Sequence, residues 1–341
     1  MSNESILSYD SLVLATGSIP NKFGWPGENL KGVQGLYTKQ DLENLEALTP
    51  SIQDTVIVGG GLIGIELAEM LNSRNIPVTF LVRESSFWNG VLPKGESEML
   101  NRHIKNHHID LRLSTNLKEI KSDKNGKVKS VIIEETGEEI ECNVVGLTAG
   151  VSPNINFIKD SEIETSRGIK VNRFLETNIN DVYAIGDCAE QHEAIDQRRP
   201  IEAVWYTGRM MGETVAQTIC GNRIEYKPGH WFNSAKFMDI EYQTYGWVFA
   251  NPREGEAHFH WKHEDDTKCI TVNYNTETNA FIGINTFGIR MRHETFDKWL
   301  TEKRDVDYVI NHLTEANFDP EFYSKFESDI LSAYKNQLQT A

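Results

Sequence analysis

The 341-residue sequence predicts an α/β protein built on a parallel sheet and followed by an α+β segment. Three observations carry this reading. Residues 55–82 pass through an apolar run, a glycine-rich turn, a helical pattern and a second apolar run, which is the order of a βαβ unit. Further short apolar runs end in glycine turns, as buried strands do. Beyond residue 200 the texture changes to aromatic-rich and hairpin-like segments, then to helices.

Taken in order, Leu12-Val13-Leu14-Ala15-Thr16-Gly17 is a short buried strand closed by a glycine turn, with Pro20 after it. Such a strand needs neighbours, and few residues precede it here. "TVIV" at 55–58 breaks into "GGGLIGIELAEMLNSRN", and "PVTFLV" follows at 77–82. A helix is expected from about 94 to 107, then a small antiparallel meander across 110–145 with "DKNGK" as a turn. Buried strands end in "VVGLTAGVSPN" and "DVYAIGDCAE". "AVWYTGRMMGETVAQTICG" has helical spacing with Gly221 as its stop. "KCITVNY" and "AFIGINTFG" read as a hairpin, and helical patterns dominate from His293, with Pro320 marking a break.

The chain exceeds the roughly 250–300 residues at which single cores stop growing, so two domains or a domain with an insertion are expected. Its 34 basic and 50 acidic residues give a formal net charge of -16, which disfavours nucleic acid and anionic membrane as partners. No apolar run reaches the roughly 18 residues of a membrane span, and "MSNESILSYD" lacks the basic and apolar parts of a secretion signal. A cytoplasmic location is the default. Cys142, Cys188, Cys220 and Cys269 are scattered, with no C-x-x-C, and read as isolated reduced thiols.

Gly59, Gly61 and Gly64 fit G-x-G-x-x-G between a strand and a helix, the context in which this pattern binds a dinucleotide. Gly59 permits the tight turn, Gly61 lets a pyrophosphate approach the backbone, and Gly64 lets helix and strand pack closely. The helix start then offers unpaired N–H groups and a positive dipole end to the phosphates. The second strand ends Val82-Arg83-Glu84. Glu84 suits the ribose diol of NAD, whereas Arg83 suits the 2′-phosphate of NADP, and solvated surface charges are equally compatible with both residues.

"YDSLVLATGSIP" at 9–20, "VIVGGGLIGIELAEML" at 56–71, "GLTAGVSPN" at 146–154 and "TNINDVYAIGDCAE" at 177–190 stand in a fixed order. Together they resemble the FAD-dependent pyridine nucleotide-disulfide oxidoreductase superfamily, in particular its NAD(P)H oxidase, nitrite reductase and rubredoxin reductase-like branch. The resemblance covers most of residues 6–220. It implies a Rossmann-like NAD(P)-binding domain at 21–145, inserted in an FAD-binding domain made of 1–20 and 146–221, with an α+β interface domain at 222–341. It also implies FAD with NAD or NADP as cofactors, hydride transfer from nicotinamide to flavin, and a small-molecule or protein electron acceptor; a homodimer is compatible with it.

By the same resemblance, Gly59, Gly61, Leu62, Ile63 and Gly64 bind the nicotinamide dinucleotide, with Arg83 and Glu84 at its adenosine end, and Gly150 is a further cofactor-binding residue. Thr16 and Gly17 flank the flavin, and Gly186 and Asp187 match the second flavin motif, whose Asp hydrogen-bonds the ribityl chain. From the residues alone, Asp187 would equally well cap a following helix. Glu66 matches the family's glutamate near nicotinamide and flavin and is the catalytic candidate, although read alone it is a first-turn acid favoured by the helix dipole. Val204 and Trp205 match the helix start near the flavin pyrimidine, with a core role as the alternative for Trp205.

Departures from the family pattern are equally informative. There is no C-x-x-x-x-C redox pair and no His-Pro-Thr motif near the C-terminus, so dithiol chemistry has no visible residues. The first G-x-G-x-x-G of the family, which holds the ADP half of FAD, is also missing. A truncated FAD-binding domain is therefore expected, with an exposed face at residues 11–15 and 182–185; the alternative to an active oxidoreductase is a dinucleotide-binding module without redox activity of its own, either awaiting a separate chain that supplies the FAD half or an incomplete product.

His258 and His260 in "HFHWKH" share one face of a strand, and His103 and His107 are four apart on the expected helix. Neither pair has an apparent third ligand, so no metal is expected. Trp231, Phe232, Phe237, Tyr242, Tyr245 and Trp247 read chiefly as packing residues.

Overall fold

The computed structural model describes residues 6–319, 321 and 324–340, so the break expected at Pro320 lies outside the described residues. The chain forms two compact units, one of residues 1–21 and 151–229, the other of residues 22–150 and 230–341.

The second unit contains a parallel five-stranded sheet in the order Val33–Gln34, Val144–Leu147, Thr55–Val58, Val78–Val82, Asp110–Leu113. Thr55–Val58 and Val144–Leu147 are buried throughout, as strands covered on both faces must be. From Thr55–Val58 the chain steps to Val78–Val82 on one side, and Val144–Leu147 arrives on the other. The first strand of the βαβ unit thus ends at a topological switch point, where α/β sheets bind ligands.

The Leu62–Asn72 helix follows the glycine turn and buries Gly64, Ile65, Leu67, Ala68 and Leu71, the i, i+1, i+3, i+4, i+7 stripe of a helix lying on a sheet. The Lys94–Asn106 helix repeats this with Met99, Leu100, His103 and Ile104. The expected meander is narrower than 110–145. Leu117–Ser122, Val128–Ile133 and Glu139–Glu141 form it, while Asp110–Leu113 and Val144–Leu147 join the parallel sheet, since their side chains are needed in its core.

The C-terminal sheet is antiparallel, in the order Phe232–Phe237, Ile240–Gly246, Phe281–Phe287, Cys269–Asn275, Glu256–Lys262. It contains the expected hairpin of Cys269–Asn275 and Phe281–Phe287. Phe237, Met238, Ile240, Tyr242 and Phe287 share one apolar core with Phe80, Phe87, Met99 and Leu100, so this sheet packs on the helices of the parallel domain. The helices His293–Thr301, Val306–Asn311, Leu313–Ala316 and Glu327–Thr340 close the fold. Residues Ile284, Phe296, Trp299, Val309 and Ile330 belong to a second core beneath them.

In the first unit, Leu12–Leu14 pairs in parallel with Val182–Ala184, and Ser18–Pro20 pairs antiparallel with Val151–Pro153. The Trp205–Ile219 helix contributes Met211 and Val215 to the core that contains Leu14, Tyr183 and Ala184. The expected exposed face is therefore only half present. Ser11, Val13 and Ala15 are exposed, but Val182, Tyr183 and Ala184 are buried.

Candidate functional site

The glycine turn after Thr55–Val58 is set by sterics. Gly59 has φ +119°, a backbone state that side chains resist, and a Cβ there would stand 2.5 Å from the Thr148 carbonyl oxygen. A Cβ on Gly64 would stand 2.3 Å from the Gly59 carbonyl oxygen and 2.8 Å from Thr148 Oγ1. The Thr148 hydroxyl lies 3.0 Å from the Val58 carbonyl oxygen and 3.2 Å from that of Gly59. Thr148 therefore locks the turn from the neighbouring strand. Sequence reasoning missed this role, although the residue lies within "GLTAG".

Gly61 differs, because a Cβ built there meets no atom within 4 Å. It is the N-cap of the Leu62–Asn72 helix and supplies no side-chain cap. The first intrahelical bond runs from Ile65 N–H to the Gly61 carbonyl, so the first-turn N–H groups of Leu62, Ile63 and Gly64 have no intrahelical acceptor. Close backbone approach, donors without an intrahelical acceptor and a positive dipole end are what a dinucleotide pyrophosphate requires, so these residues fit one.

Gly150, with φ +83°, ends the segment that leaves Val144–Leu147 on the other side of the switch point. Arg83 and Glu84 pair with each other at the end of Val78–Val82: Arg83 Nη2 donates to Glu84 Oε1 at 2.8 Å, and Arg83 Nε donates at 3.2 Å. The pair is largely exposed, so it contributes little to stability and opens at little cost to a ligand. Glu66 lies in the second turn of its helix, whose first turn holds no acid, so a dipole role does not account for it. Its residue is exposed, yet loss of water around the carboxyl, with the Glu69 carboxylate as a smaller cause, raises its pKa above the ordinary carboxylate value.

In the first unit, the parallel pairing of Leu12–Leu14 with Val182–Ala184 places the two C-terminal ends side by side. The first end leads into Thr16-Gly17 and the second into Gly186-Asp187. Ser18 Oγ donates to Asp187 Oδ2 at 3.1 Å, joining the two motifs. Asn154 clamps the other side, as its backbone N–H donates to the Gly17 carbonyl at 2.9 Å and the Thr16 hydroxyl donates to its carbonyl at 2.8 Å.

Gly186–Cys188 is a 3-10 turn that leads into the Ala189–Gln191 strand, so Asp187 does not cap a following α-helix. Gly186, with φ +71°, lets the turn bend under the Trp205–Ile219 helix, whose Gly208 would place a Cβ only 3.4 Å from Gly186 Cα. Val204 is the N-cap of that helix, again without a side-chain cap. Trp205 is 69 % exposed, which rules out the core role. Among the described residues, all four cysteines are free thiols, and Cys142, Cys188 and Cys269 are buried. No described helix is long and apolar enough to cross a membrane.

The chain is 29 % identical over 311 residues to the assimilatory nitrate reductase electron transfer subunit of Bacillus subtilis, covering 91 % of this chain and 38 % of that protein. It is 31 % identical over 189 residues to a rubredoxin-NAD(+) reductase of Acinetobacter baylyi, covering 55 % and 48 %. The chain thus spans half or less of the length of these relatives. In fold it resembles an NAD-dependent persulfide reductase from A. fulgidus, with a TM-score of 0.81 and 20 % identity, over 98 % of this chain and 64 % of that one. The family profile described as pyridine nucleotide-disulphide oxidoreductase matches residues 1–212, and on that match the chain belongs to the pyridine nucleotide-disulphide oxidoreductases.

Proposed function

We propose that these residues serve an FAD-dependent NAD(P)H oxidoreductase. The observation that carries the reading is the Gly59–Gly64 turn at the switch point, with open space over Gly61 and three first-turn N–H groups that have no intrahelical acceptor. The bound cofactors supply the redox chemistry, a hydride passing from nicotinamide to flavin. The chain's own groups bind and orient. Leu62, Ile63 and Gly64 donate to the pyrophosphate, Glu84 accepts from ribose hydroxyls, and Arg83 donates to a 2′-phosphate where one is present. We assign Glu66 to orienting the nicotinamide end.

Asp187 accepts from flavin hydroxyls beside the Thr16-Gly17 turn, and the uncapped start of the Trp205–Ile219 helix offers N–H donors to a pyrimidine carbonyl. The acceptor is a small molecule or a redox protein, as the names of the relatives suggest, and free buried thiols suit a cytoplasmic location.

One observation favours a second, narrower reading. The 341 residues contain a single G-x-G-x-x-G turn, and it lies in the parallel domain. On this reading the 341 residues bind NAD(P)H, while the phosphate site for the ADP half of FAD comes from other residues, in this polypeptide or a separate one. Anaerobic titration with NADH and NADPH, FAD being present in excess, separates the two. Bleaching of bound flavin by the 341 residues alone supports the first reading. NAD(P)H binding with no flavin bound or bleached supports the second, and absence of NAD(P)H binding contradicts both.

A further inference from the structure

Away from the dinucleotide turn, two imidazoles and a carboxylate from different elements converge. His103 lies in the last turn of the Lys94–Asn106 helix and His107 is its C-cap, so they share one face. Asp239 lies in the tight Met238-Asp239 turn joining Phe232–Phe237 to Ile240–Gly246. Asp239 Oδ1 is 2.7 Å from His103 Nε2 and 3.4 Å from His107 Nε2, and the three ligand atoms lie within 4.8 Å of one another. A second observation concerns the far side of a ring. His107 Nδ1 is 3.0 Å from the His103 carbonyl oxygen, which can only accept. The ring is thus held by Nδ1 on a backbone carbonyl while Nε2 faces Asp239, the orientation that a backbone partner gives to metal-ligating histidines.

We propose that His103, His107 and Asp239 form a site for a zinc-type divalent transition metal, which clamps the Met238-Asp239 turn to the Lys94–Asn106 helix. Two imidazole nitrogens and one carboxylate suit zinc and its neighbours, whereas calcium and magnesium call for oxygen ligands. Tetrahedral bonds of 2.0–2.2 Å separate ligand atoms by about 3.4 Å. The His107–Asp239 distance matches that value, and the His103–Asp239 distance of 2.7 Å has to widen by about 0.7 Å. Asp239, with its side chain 73 % exposed, can make this shift without unpacking the core, and its open side leaves a coordination position to water.

The test uses the 341-residue chain with Co²⁺ as optical probe and Zn²⁺ as competitor, in parallel with His107→Gln, Asp239→Asn and, as control, His263→Gln, which removes a second histidine–carboxylate pair. The expected result is one Co²⁺ per chain with visible ligand-field bands, displaced by one Zn²⁺. His107→Gln and Asp239→Asn are each expected to weaken binding roughly tenfold or more, and His263→Gln to leave it unchanged. Zn²⁺ is also expected to raise the Tm of the parent but of neither site variant. A parent without these bands and without the Tm shift, or site variants that bind as the parent does, overturns the proposal.

Discussion

The residue with the most unusual environment is Glu96, which is fully buried in the first turn of the Lys94–Asn106 helix. Asn285 Nδ2 donates to Glu96 Oε2 at 2.8 Å, but burial dominates and pushes the carboxyl up to about 8. A folded-state pKa above the unfolded value near 4.5 means that the folded chain holds the proton more tightly. The stability this group confers is therefore full below pH 4.5 and is lost as pH rises towards 8. Glu96→Gln is expected to remove that slope, raising stability at pH 8 by the order of a few kcal/mol and changing it little at pH 5, as read from urea unfolding. A parent and variant with parallel pH profiles would show that Glu96 ionises normally. Arg83 gives the second residue-scale expectation. Arg83→Ala should weaken NADPH binding roughly tenfold and NADH binding much less, because a charge-assisted contact to phosphate is lost only from the first. Equal losses in fluorescence titrations would place Arg83 away from the 2′-phosphate. Neither Glu96 nor Asp239 showed its importance in the sequence, since burial of the one and the convergence of the other with His103 depend on partners more than a hundred residues away.

At the scale of elements, the glycine turn divides into positions that serve the fold and one, Gly61, that packs against nothing and on our proposal serves the ligand. Gly64→Ala forces a Cβ against the Gly59 carbonyl and Thr148, so it should destabilise by about 1–3 kcal/mol and lower Tm. Gly61→Ala meets open space and should leave Tm nearly unchanged. Similar Tm losses in both variants would contradict this division. The βαβ unit, the Lys94–Asn106 helix, the Trp205–Ile219 helix and the Cys269–Phe287 hairpin were legible because each announces itself locally, by periodicity or by turn residues. The extent of the meander was not legible. Asp110–Leu113 looks like its neighbours in sequence, and only its pairing with Val78–Val82 assigns it to the parallel sheet. Likewise the exposure of Trp205 follows from its place at a helix start, which apolar character alone misreads as core.

For the whole molecule, four short motifs in register were enough to indicate the family, because each marks a strand end where backbone geometry is tightly constrained. The structure adds how the Thr16-Gly17 and Gly186-Asp187 motifs interlock, through Ser18–Asp187 and the Asn154 clamp. What the motifs did not reveal is that residues 230–341 share a core with residues 22–150, since Phe237, Tyr242 and Phe287 meet Phe87 and Met99 only in the folded unit. The central claim is that residues 55–84 bind a nicotinamide dinucleotide through the backbone of the Gly61–Gly64 helix start. It is tested most directly by calorimetric titration of NADH and NADPH into the 341-residue chain and into its Gly61→Val variant. The expected result is one saturable site in the parent and at least a hundredfold loss, about 2.7 kcal/mol, in a variant whose Tm is unchanged. A Gly61→Val chain that binds either dinucleotide as tightly as the parent would contradict the claim.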